Sequence, residues 1–170
     1  MAPPGEGTKY KIFRTKAGWM VAIASEKGLV ALTLPQPTKE LALKRLELEP
    51  ARVVASDNCF KELLKQLHCY FSGQVVNFSH NLDITRATDF QTKVWQASRL
   101  IPYGETRSYR WLAEKIGHPK AARAVGQALA RNPLPVIIPC HRVIKEDGSI
   151  GGFSGGLKTK RLLLSLEKAL

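Results

Sequence analysis

The chain has 170 residues, 44% of them hydrophobic, which is enough apolar material for the core of one large domain or two small ones. Its 26 Lys and Arg residues outnumber 14 Asp and Glu residues, and the formal net charge of +12 favours a polyanionic partner, with nucleic acid as the leading candidate. No apolar run is long enough to span a membrane, and the Pro- and Gly-rich start, Met1–Thr8, has no signal-peptide pattern, so we expect a soluble, cytoplasmic protein without a membrane partner.

The first half of the chain predicts a small antiparallel sheet. Three strands are predicted: a short alternating segment at Tyr10–Arg14, and the segments Trp19–Ser25 and Leu29–Leu34, which flank a turn. Gly28 stands in the turn between the second and the third strand, where a positive φ is well tolerated. A further strand is predicted at Val75–Phe78, before a polar connector.

Two helices are predicted within the same half of the chain. Thr38 is suited to cap a helix that runs to about Leu48. Asp57 or Asn58 can cap a second helix, which has an apolar face and ends at Gly73. No motif with a chemical function occurs in this half.

The cysteines and histidines indicate neither a disulfide nor a metal site. Cys59 and Cys69 fall on one predicted helix, where a rise of about 1.5 Å per residue separates them by about 15 Å. This is too far for a disulfide, so we expect both to be packing residues in a reducing compartment. The histidines have no metal-ligand spacing, and no metal is expected.

The second half of the chain predicts short helices. Thr88 or Asp89 can cap the first, Ser108 can cap the second, and Ala121–Ala130 forms the third. The second and third are joined by a glycine-containing turn and have the outline of a helix-turn-helix. Short helix pairs also serve as packing units, so the outline alone leaves both interpretations open.

The third predicted helix has an almost bare outer surface. Small side chains let a helix backbone approach a phosphodiester chain closely, and the single arginine, Arg123, can enter a duplex as a wedge. An alanine-rich packed helix with a solvated arginine is the alternative interpretation. The residues predicted to face inward are Ala124, Val125, Ala128 and Leu129. Those predicted to face outward are Ala122, Arg123, Gly126, Gln127 and Ala130.

Ile137–Val143 contains the candidate nucleophile of the chain, because Cys140 is followed directly by His141 and Arg142. A thiol reacts as the thiolate, and neighbouring positive charge lowers its pKa. A Cys-His pair is also common in protein cores. On a strand the two side chains point to opposite faces, so a bridging water or a third residue is needed to join them.

Two features follow the cysteine. Gly151–Gly156 surrounds Phe153 and Ser154 with four glycines, which expose backbone groups to a flat ligand or simply form a flexible loop. The last predicted helix, Leu157–Leu170, places Glu167 near its C-terminal end. A carboxylate is unfavourable there, which indicates a specific partner unless the side chain is exposed.

Together these motifs resemble those of the O6-alkylguanine-DNA alkyltransferases over about residues 88–168. The resemblance implies an α+β fold in which a small N-terminal domain, residues 1–84, has an antiparallel sheet, helices and a ribonuclease H-like layout. A mainly helical domain, residues 85–170, then contains the helix-turn-helix, binds DNA and accepts the alkyl group. The matching motifs are Pro102-Tyr103-Gly104-Glu105, Ser108-Tyr109, Ala121–Gly126, Asn132-Pro133, Pro139–Val143 and Ser154–Leu157.

The resemblance also implies a mechanism. Duplex DNA with O6-alkylguanine is the partner, and the alkyl group passes directly and irreversibly to Cys140, once per molecule. The base flips out on the minor-groove side and Arg123 takes its place in the stack, because a stacked base cannot be reached in line. His141 draws the thiol proton through a water, while Glu167 orients the imidazole.

The remaining roles implied by the resemblance concern recognition of the base and DNA. Tyr109 donates a hydrogen bond to a ring nitrogen, the Ser154 amide supports O6, and the carbonyls of Cys140 and Val143 receive the exocyclic amine. Asn132 braces the segment before the cysteine. Phe153 stands where the family often has tyrosine. The substrate-binding set also includes Gly155, and the DNA-binding set comprises Arg123, Ala122, Gly126, Gln127 and Tyr109.

No cofactor is expected, and we expect a monomer. Activity on O4-alkylthymine and cooperative binding to DNA are left open by the sequence. Two other functions compete with the resemblance: a regulatory or lesion-sensing DNA-binding protein that performs no chemistry, and a Cys/His hydrolase with Glu167 as the orienting acid. Stoichiometric modification of Cys140 distinguishes the alkyltransferase from both.

Overall fold

The computed structural model of the chain describes residues 7–46 and 53–170, which fall into two compact units, one up to Thr85 and one from Arg86 to Leu170. Most of the Pro- and Gly-rich start and the predicted helix end at Leu48 lie outside the described residues. Within these ranges no helix is both long and apolar enough to cross a bilayer. The first unit comprises β1 (Thr8–Thr15), β2 (Gly18–Ser25), β3 (Gly28–Leu32), α1 (Lys39–Lys44), β4 (Val53–Ala55) and α2 (Lys61–Tyr70). The second comprises α3 (Asp89–Ser98), β5 (Arg107–Ser108), α4 (Tyr109–Lys115), α5 (Ala122–Ala130), β6 (Val143–Ile144) and α6 (Leu157–Leu166).

The first unit is built on a four-stranded sheet with the order β3-β2-β1-β4. The predicted antiparallel pairs, β1 with β2 and β2 with β3, are present. Gly28 has a φ of 145°, and a Cβ there would collide with the Asn81 backbone, so the turn requires glycine. The short strand β4 pairs in parallel with β1 at one edge of the sheet. This strand was not predicted, because its three residues are too few to show a strand pattern. The strand predicted at Val75–Phe78 is absent, because this segment has no ladder partner among the described residues.

The helices of the first unit confirm one of the two predicted caps. The Thr38 hydroxyl accepts the backbone N–H of Leu41 at the start of α1. Asp57 makes no side-chain cap, because a 3₁₀ turn leads directly into α2. Cys59 lies in that turn and is exposed, so its predicted packing role is wrong, whereas Cys69 is half-buried. The core of the unit contains Val21, Ile23, Ala31, Ala42 and Leu46.

In the second unit α3 and α4 both pack against α5, whereas α6 packs against the short 3₁₀ turn Cys140–Arg142. The Thr88 hydroxyl and the Gln91 side chain form a capping box at the start of α3. The indole N–H of Trp95 donates to the Ala128 carbonyl of α5 at 2.9 Å, which fixes α3 against that helix. Ser108 caps α4 by accepting the N–H of Trp111 at 3.0 Å.

The last helix ends earlier than predicted. Lys168 has a φ of 58° and the Ala169 N–H donates to the Leu164 carbonyl, so the chain leaves α6 after Leu166. Leu162 and Leu170 are 48% and 64% exposed. Leu163 and Leu164 are buried, together with Lys160 and Glu167.

Substitution of the α4 cap tests how this helix begins. Ser108→Ala should lower the free energy of unfolding by about 1 kcal/mol, because the Trp111 N–H loses its acceptor. Urea titration measures the change, with Ser165→Ala on the exposed side of α6 as the control. Equal effects of the two substitutions would contradict the assignment of Ser108 as the cap.

Candidate active site

A cavity of about 560 Å³ opens beside α5. All five residues predicted to face outward from this helix contribute to its wall, namely Ala122, Arg123, Gly126, Gln127 and Ala130. Ala124, predicted to face inward, is exposed, because the buried stripe of α5 is narrower than expected and consists of Val125, Ala128 and Leu129. The other lining residues are Tyr109, Leu129, Cys140, Gly152, Phe153 and Ser154.

Cys140 lines the cavity and is only 5% exposed. It begins a 3₁₀ turn, Cys140–Arg142, so the strand expected around it is wrong. Successive side chains of such a turn diverge by about 120°. Cys140 therefore lines the cavity while His141 is fully buried. Upstream, Val136 has a φ of 76°, a conformation that β-branched residues rarely adopt and that surrounding packing must hold.

Asn132 braces the cysteine. Its side-chain N–H₂ group donates to the Ile138 carbonyl at 2.8 Å and to the Cys140 Sγ at 3.0 Å. Its side-chain carbonyl accepts the Leu134 N–H at 2.9 Å. The segment between α5 and Cys140 is thus tied at three points to one amide.

The Glu167 carboxylate is buried against His141 and Arg142. It accepts the imidazole Nε2–H of His141 at 2.8 Å, and Arg142 donates to both of its oxygens, at 2.7 and 3.0 Å. Arg142 also donates to the Ile101 carbonyl at 2.7 Å. Glu167 is 1% exposed, so the sequence-based alternative of an exposed glutamate is wrong.

Burial and hydrogen bonding set the protonation of these groups. Burial alone would raise the pKa of Glu167, but the hydrogen bonds from His141 and Arg142 outweigh it and lower that pKa to about 2. Burial lowers the pKa of His141 and raises the pKa of the Cys140 thiol, although the Asn132 hydrogen bond opposes the rise. The resting site therefore holds a thiol beside a neutral imidazole that is able to take a proton.

Tyr109 begins α4 and stands in the cavity wall. A Cβ on Gly151 would approach its ring to 3.2 Å, a tight contact that the glycine avoids, whereas a Cβ on Gly126 would make an ordinary contact at 3.6 Å. Its hydroxyl donates to the Gly152 carbonyl at 3.3 Å. Burial, and next the Cys140 charge, raise the pKa of Tyr109, which keeps the hydroxyl protonated as a donor.

The remaining predicted residues divide between the cavity and its surroundings. Phe153 and Ser154 line the cavity, whereas Gly155 is not among the lining residues. Val143 is buried in β6, and its carbonyl accepts a hydrogen bond from the Lys160 Nζ at 2.6 Å.

Lys160 was not predicted from the sequence, and Arg142 was considered only as a positive charge next to the thiol, not as the partner of Glu167. Lys160 is fully buried on α6 and lies one turn before Leu163 and Leu164. That helical spacing was a signal that could have placed it on the buried face. Arg142 follows the candidate nucleophile directly, but its partner, Glu167, is 25 residues away in the sequence, so no local pattern joins them.

Comparisons with known proteins give one consistent result over both units. The family described as "6-O-methylguanine DNA methyltransferase, ribonuclease-like domain" matches residues 8–84, and the corresponding DNA binding domain matches residues 89–169. A methylated-DNA–protein-cysteine methyltransferase of Methanosarcina barkeri is 43% identical over 159 residues, 94% of this chain and 96% of that protein. The enzyme of the same name from Mycobacterium leprae is 51% identical over 122 residues, 71% of this chain and 73% of that protein.

Solved structures agree with the sequence matches. Mycobacterium tuberculosis OGT in complex with DNA matches with a TM-score of 0.80 and 38% identity, covering 95% of this chain and 93% of that one. Mycobacterium tuberculosis O6-methylguanine methyltransferase matches with a TM-score of 0.79 and 40% identity, with the same coverage. The predicted resemblance and the α+β fold class are confirmed. These relatives are named as methyltransferases, not as regulators or hydrolases.

The buried carboxylate predicts a distinct dependence of stability on pH. Because the pKa of Glu167 falls from 4.5 in the unfolded chain to about 2, its stabilisation is complete above pH 4.5 and is lost as the pH falls towards 2. The loss should amount to roughly 3 kcal/mol. Urea titrations between pH 7 and pH 2.5 measure it.

Glu167→Gln provides the comparison. The substitution should cost about 3 kcal/mol at pH 7, because the Arg142 charge stays buried without its counter-charge. It should also remove the acid-dependent loss. Glu146→Gln, which changes an exposed carboxylate, is the control. If the free energy of unfolding of Glu167→Gln falls with pH as steeply as that of the unsubstituted protein, another group is responsible for the acid-dependent loss.

Proposed function

The chain belongs to the 6-O-methylguanine DNA methyltransferase family, and from that premise we propose that Cys140 accepts the alkyl group of O6-alkylguanine in duplex DNA. The chain is therefore a DNA-repair methyltransferase that transfers the alkyl group of methylated DNA to a protein cysteine. One observation carries the assignment to Cys140: its thiol lines a cavity formed with α5, and the residue that follows it, His141, is hydrogen-bonded to Glu167. Cys59 and Cys69 lie in the other unit.

The proposed chemistry is a direct displacement. The Cys140 sulfur attacks the alkyl carbon, the bond from that carbon to O6 breaks, and its electron pair passes to the guanine. The thiol proton passes through a water to His141. Since the Glu167 carboxylate can only accept, Nε2 carries the hydrogen that it receives, and Nδ1 is the nitrogen that can take the proton. Glu167 then stabilises the imidazolium.

The departing guanine needs donors, because it leaves with negative charge on O6 and the ring. The Tyr109 hydroxyl, kept protonated by burial, donates to a ring nitrogen, and the Ser154 amide supports O6. The carbonyls of Cys140 and Val143 receive the exocyclic amine. Phe153 provides a stacking face without the hydroxyl of a tyrosine. These roles are the ones that the family resemblance implies, and the residues proposed for them line or adjoin the cavity.

Binding of DNA is proposed to occur through α5. From residue 86 onward the chain has 15 of the 26 Lys and Arg residues and only 6 of the 14 Asp and Glu residues, so most of the net charge lies in this unit. Ala122 and Gly126 let the helix backbone approach the duplex from the minor groove. Arg123 is exposed at the rim of the cavity and enters the stack as the alkylated base leaves it.

The product is proposed to be a permanent thioether, so each monomer acts once and without a cofactor. An alkylated sulfur is bulkier than a thiol, and the Asn132 hydrogen bond to Sγ is 3.0 Å long in the free protein. Alkylation therefore strains the braced segment and lowers the melting temperature. Activity on O4-alkylthymine would use the same displacement at the same sulfur.

Intact mass after reaction with a duplex carrying one O6-methylguanine tests the assignment of Cys140. With lesion in excess, the protein should gain one methyl group, located on Cys140, and stop. Cys140→Ser should gain none while still binding DNA. Cys59→Ser, which removes an exposed thiol, is the control and should react as the unsubstituted protein does. Methylation of the Cys140→Ser protein, or more than one turnover, would rule out the proposal.

Arg123→Ala tests the proposed displacement of the base. Loss of the side chain that replaces the flipped base should slow methyl transfer by at least tenfold, because a few kcal/mol of unstacking are no longer compensated. Single-turnover rates measure the effect. Arg161→Ala removes an equal charge from the exposed side of α6 and should change the rate little. If both substitutions slow the reaction equally, Arg123 contributes only its positive charge and does not replace the flipped base.

A further inference from the structure

We propose that Lys160 is a positioning residue for the alkyl transfer, whose ammonium group fixes the glycine-rich wall of the cavity and stabilises the Cys140 thiolate by its charge. The inference rests on the proposed function of Cys140. It concerns a side chain that is fully buried on α6 and whose polar atom is turned towards the cavity wall.

The Lys160 ammonium is matched by three acceptors. Its Nζ lies 2.6 Å from the Val143 carbonyl, 2.6 Å from the Ile150 carbonyl and 3.4 Å from the Gly152 carbonyl. An ammonium has three N–H donors, whereas a neutral amine has two and a lone pair that would face a carbonyl oxygen. The three oxygens therefore favour the charged form of this lysine.

These contacts hold together the two ends of the segment that leads into the glycine-rich wall of the cavity. Val143 stands at the start of the segment and Gly152 at its end, with an exposed turn between them. Gly152, Phe153 and Ser154 line the cavity, and the Gly152 carbonyl also accepts the Tyr109 hydroxyl. Lys160 thus holds together, from the inner side, the two ends of a segment that carries proposed substrate contacts.

Among the residues that the structure describes, the charge of Lys160 has no acidic partner. Within residues 7–46 and 53–170, its Nζ bonds only to carbonyl oxygens, and the Glu167 charge is already balanced by Arg142. A buried positive charge without a counter-ion favours the appearance of a negative charge nearby. The thiolate of Cys140, which forms when its proton leaves, is such a charge.

The titratable groups that face Lys160 are Cys140, Tyr109 and His141. Its Nζ lies 5.7 Å from the centroid of the Tyr109 ring. Burial lowers the pKa of Lys160 to about 8, and the Cys140 charge opposes that shift. The ammonium in turn lowers the pKa of the thiol against the effect of burial. Around neutral pH the lysine keeps its proton and the two groups stabilise each other's charged forms.

The pH dependence of thiol reactivity tests the charge effect without DNA. Cys140 is alkylated with iodoacetamide from pH 6 to pH 10, and its modification is followed by peptide mass mapping. Lys160→Met should raise the midpoint of reactivity by on the order of one pH unit, since a nearby opposite charge is removed. Lys160→Arg keeps the positive charge and should return the midpoint most of the way to that of the unsubstituted protein. Lys158→Met, an exposed lysine on the same helix, is the control and should leave the midpoint unchanged.

Transfer from DNA tests the positioning effect. With an O6-methylguanine duplex at pH 7, Lys160→Met should reduce the single-turnover rate by more than tenfold. A shift of one pH unit in thiol ionisation explains a loss of roughly tenfold. The further loss is expected because the glycine-rich wall no longer has the hydrogen bonds that hold it. Affinity for an undamaged duplex should stay the same. Lys160→Gln replaces Lys160→Met if the latter melts below the assay temperature.

Two results would overturn the inference. An unchanged midpoint in Lys160→Met or Lys160→Gln would exclude the charge effect, and a transfer rate that falls by no more than the shift in thiol ionisation explains would exclude the positioning effect. Failure of the unsubstituted protein to methylate Cys140 would instead reject the proposed function, because the iodoacetamide midpoint does not depend on DNA chemistry. The two failures are therefore distinguishable.

Discussion

The Glu167 carboxylate and its three hydrogen bonds from His141 and Arg142 are the interaction on which the second unit depends. A carboxylate at a helix end is unfavourable in the dipole of its own helix, and burial adds a larger cost. Arg142 offsets both costs by donating hydrogen bonds to both oxygens of the Glu167 carboxylate. Its guanidinium also donates to the Ile101 carbonyl. The same carboxylate fixes the imidazole, so the stability of the unit and the orientation of the proposed base have one cause.

A second constraint follows from the burial of the sulfur. Burial protects the Cys140 thiol from solvent and raises its pKa, which opposes formation of the nucleophile. The Asn132 amide and the Lys160 ammonium act in the other direction, and the imidazole of His141 stays neutral and able to accept. The site thus keeps a protected thiol at rest and forms the thiolate only as the proton moves. This fits a protein whose reactive group is used once.

Local signals in the sequence predicted much of the second unit, and distant contacts account for what was missed. Thr88 and Ser108 cap their helices as predicted, because a cap depends on residues within one turn. The 3₁₀ turn at Cys140 was missed because the preceding β-branched residues favour a strand. The burial of Glu167 depends on Arg142, which lies 25 residues earlier in the sequence. In the first unit, β4 has only three residues and is defined by its pairing with β1, which no window of sequence contains.

A braced site suits chemistry in which the transferred group is never released from the protein. An enzyme that turns over must free its active site after each reaction, and many therefore need mobile lids or hinges. Under the proposed function the alkyl group stays on Cys140, so the brace that prepares the sulfur does not have to open to release that group. Asn132 holds both Sγ and the backbone of Ile138, and Val136 upstream is kept by packing in an unfavourable conformation. A group added to Sγ acts first on this segment, which begins where α5 ends. Alkylation at the sulfur is in this way coupled, through the hydrogen bond from Asn132 to Sγ, to the end of the helix proposed to bind DNA, two residues before Asn132.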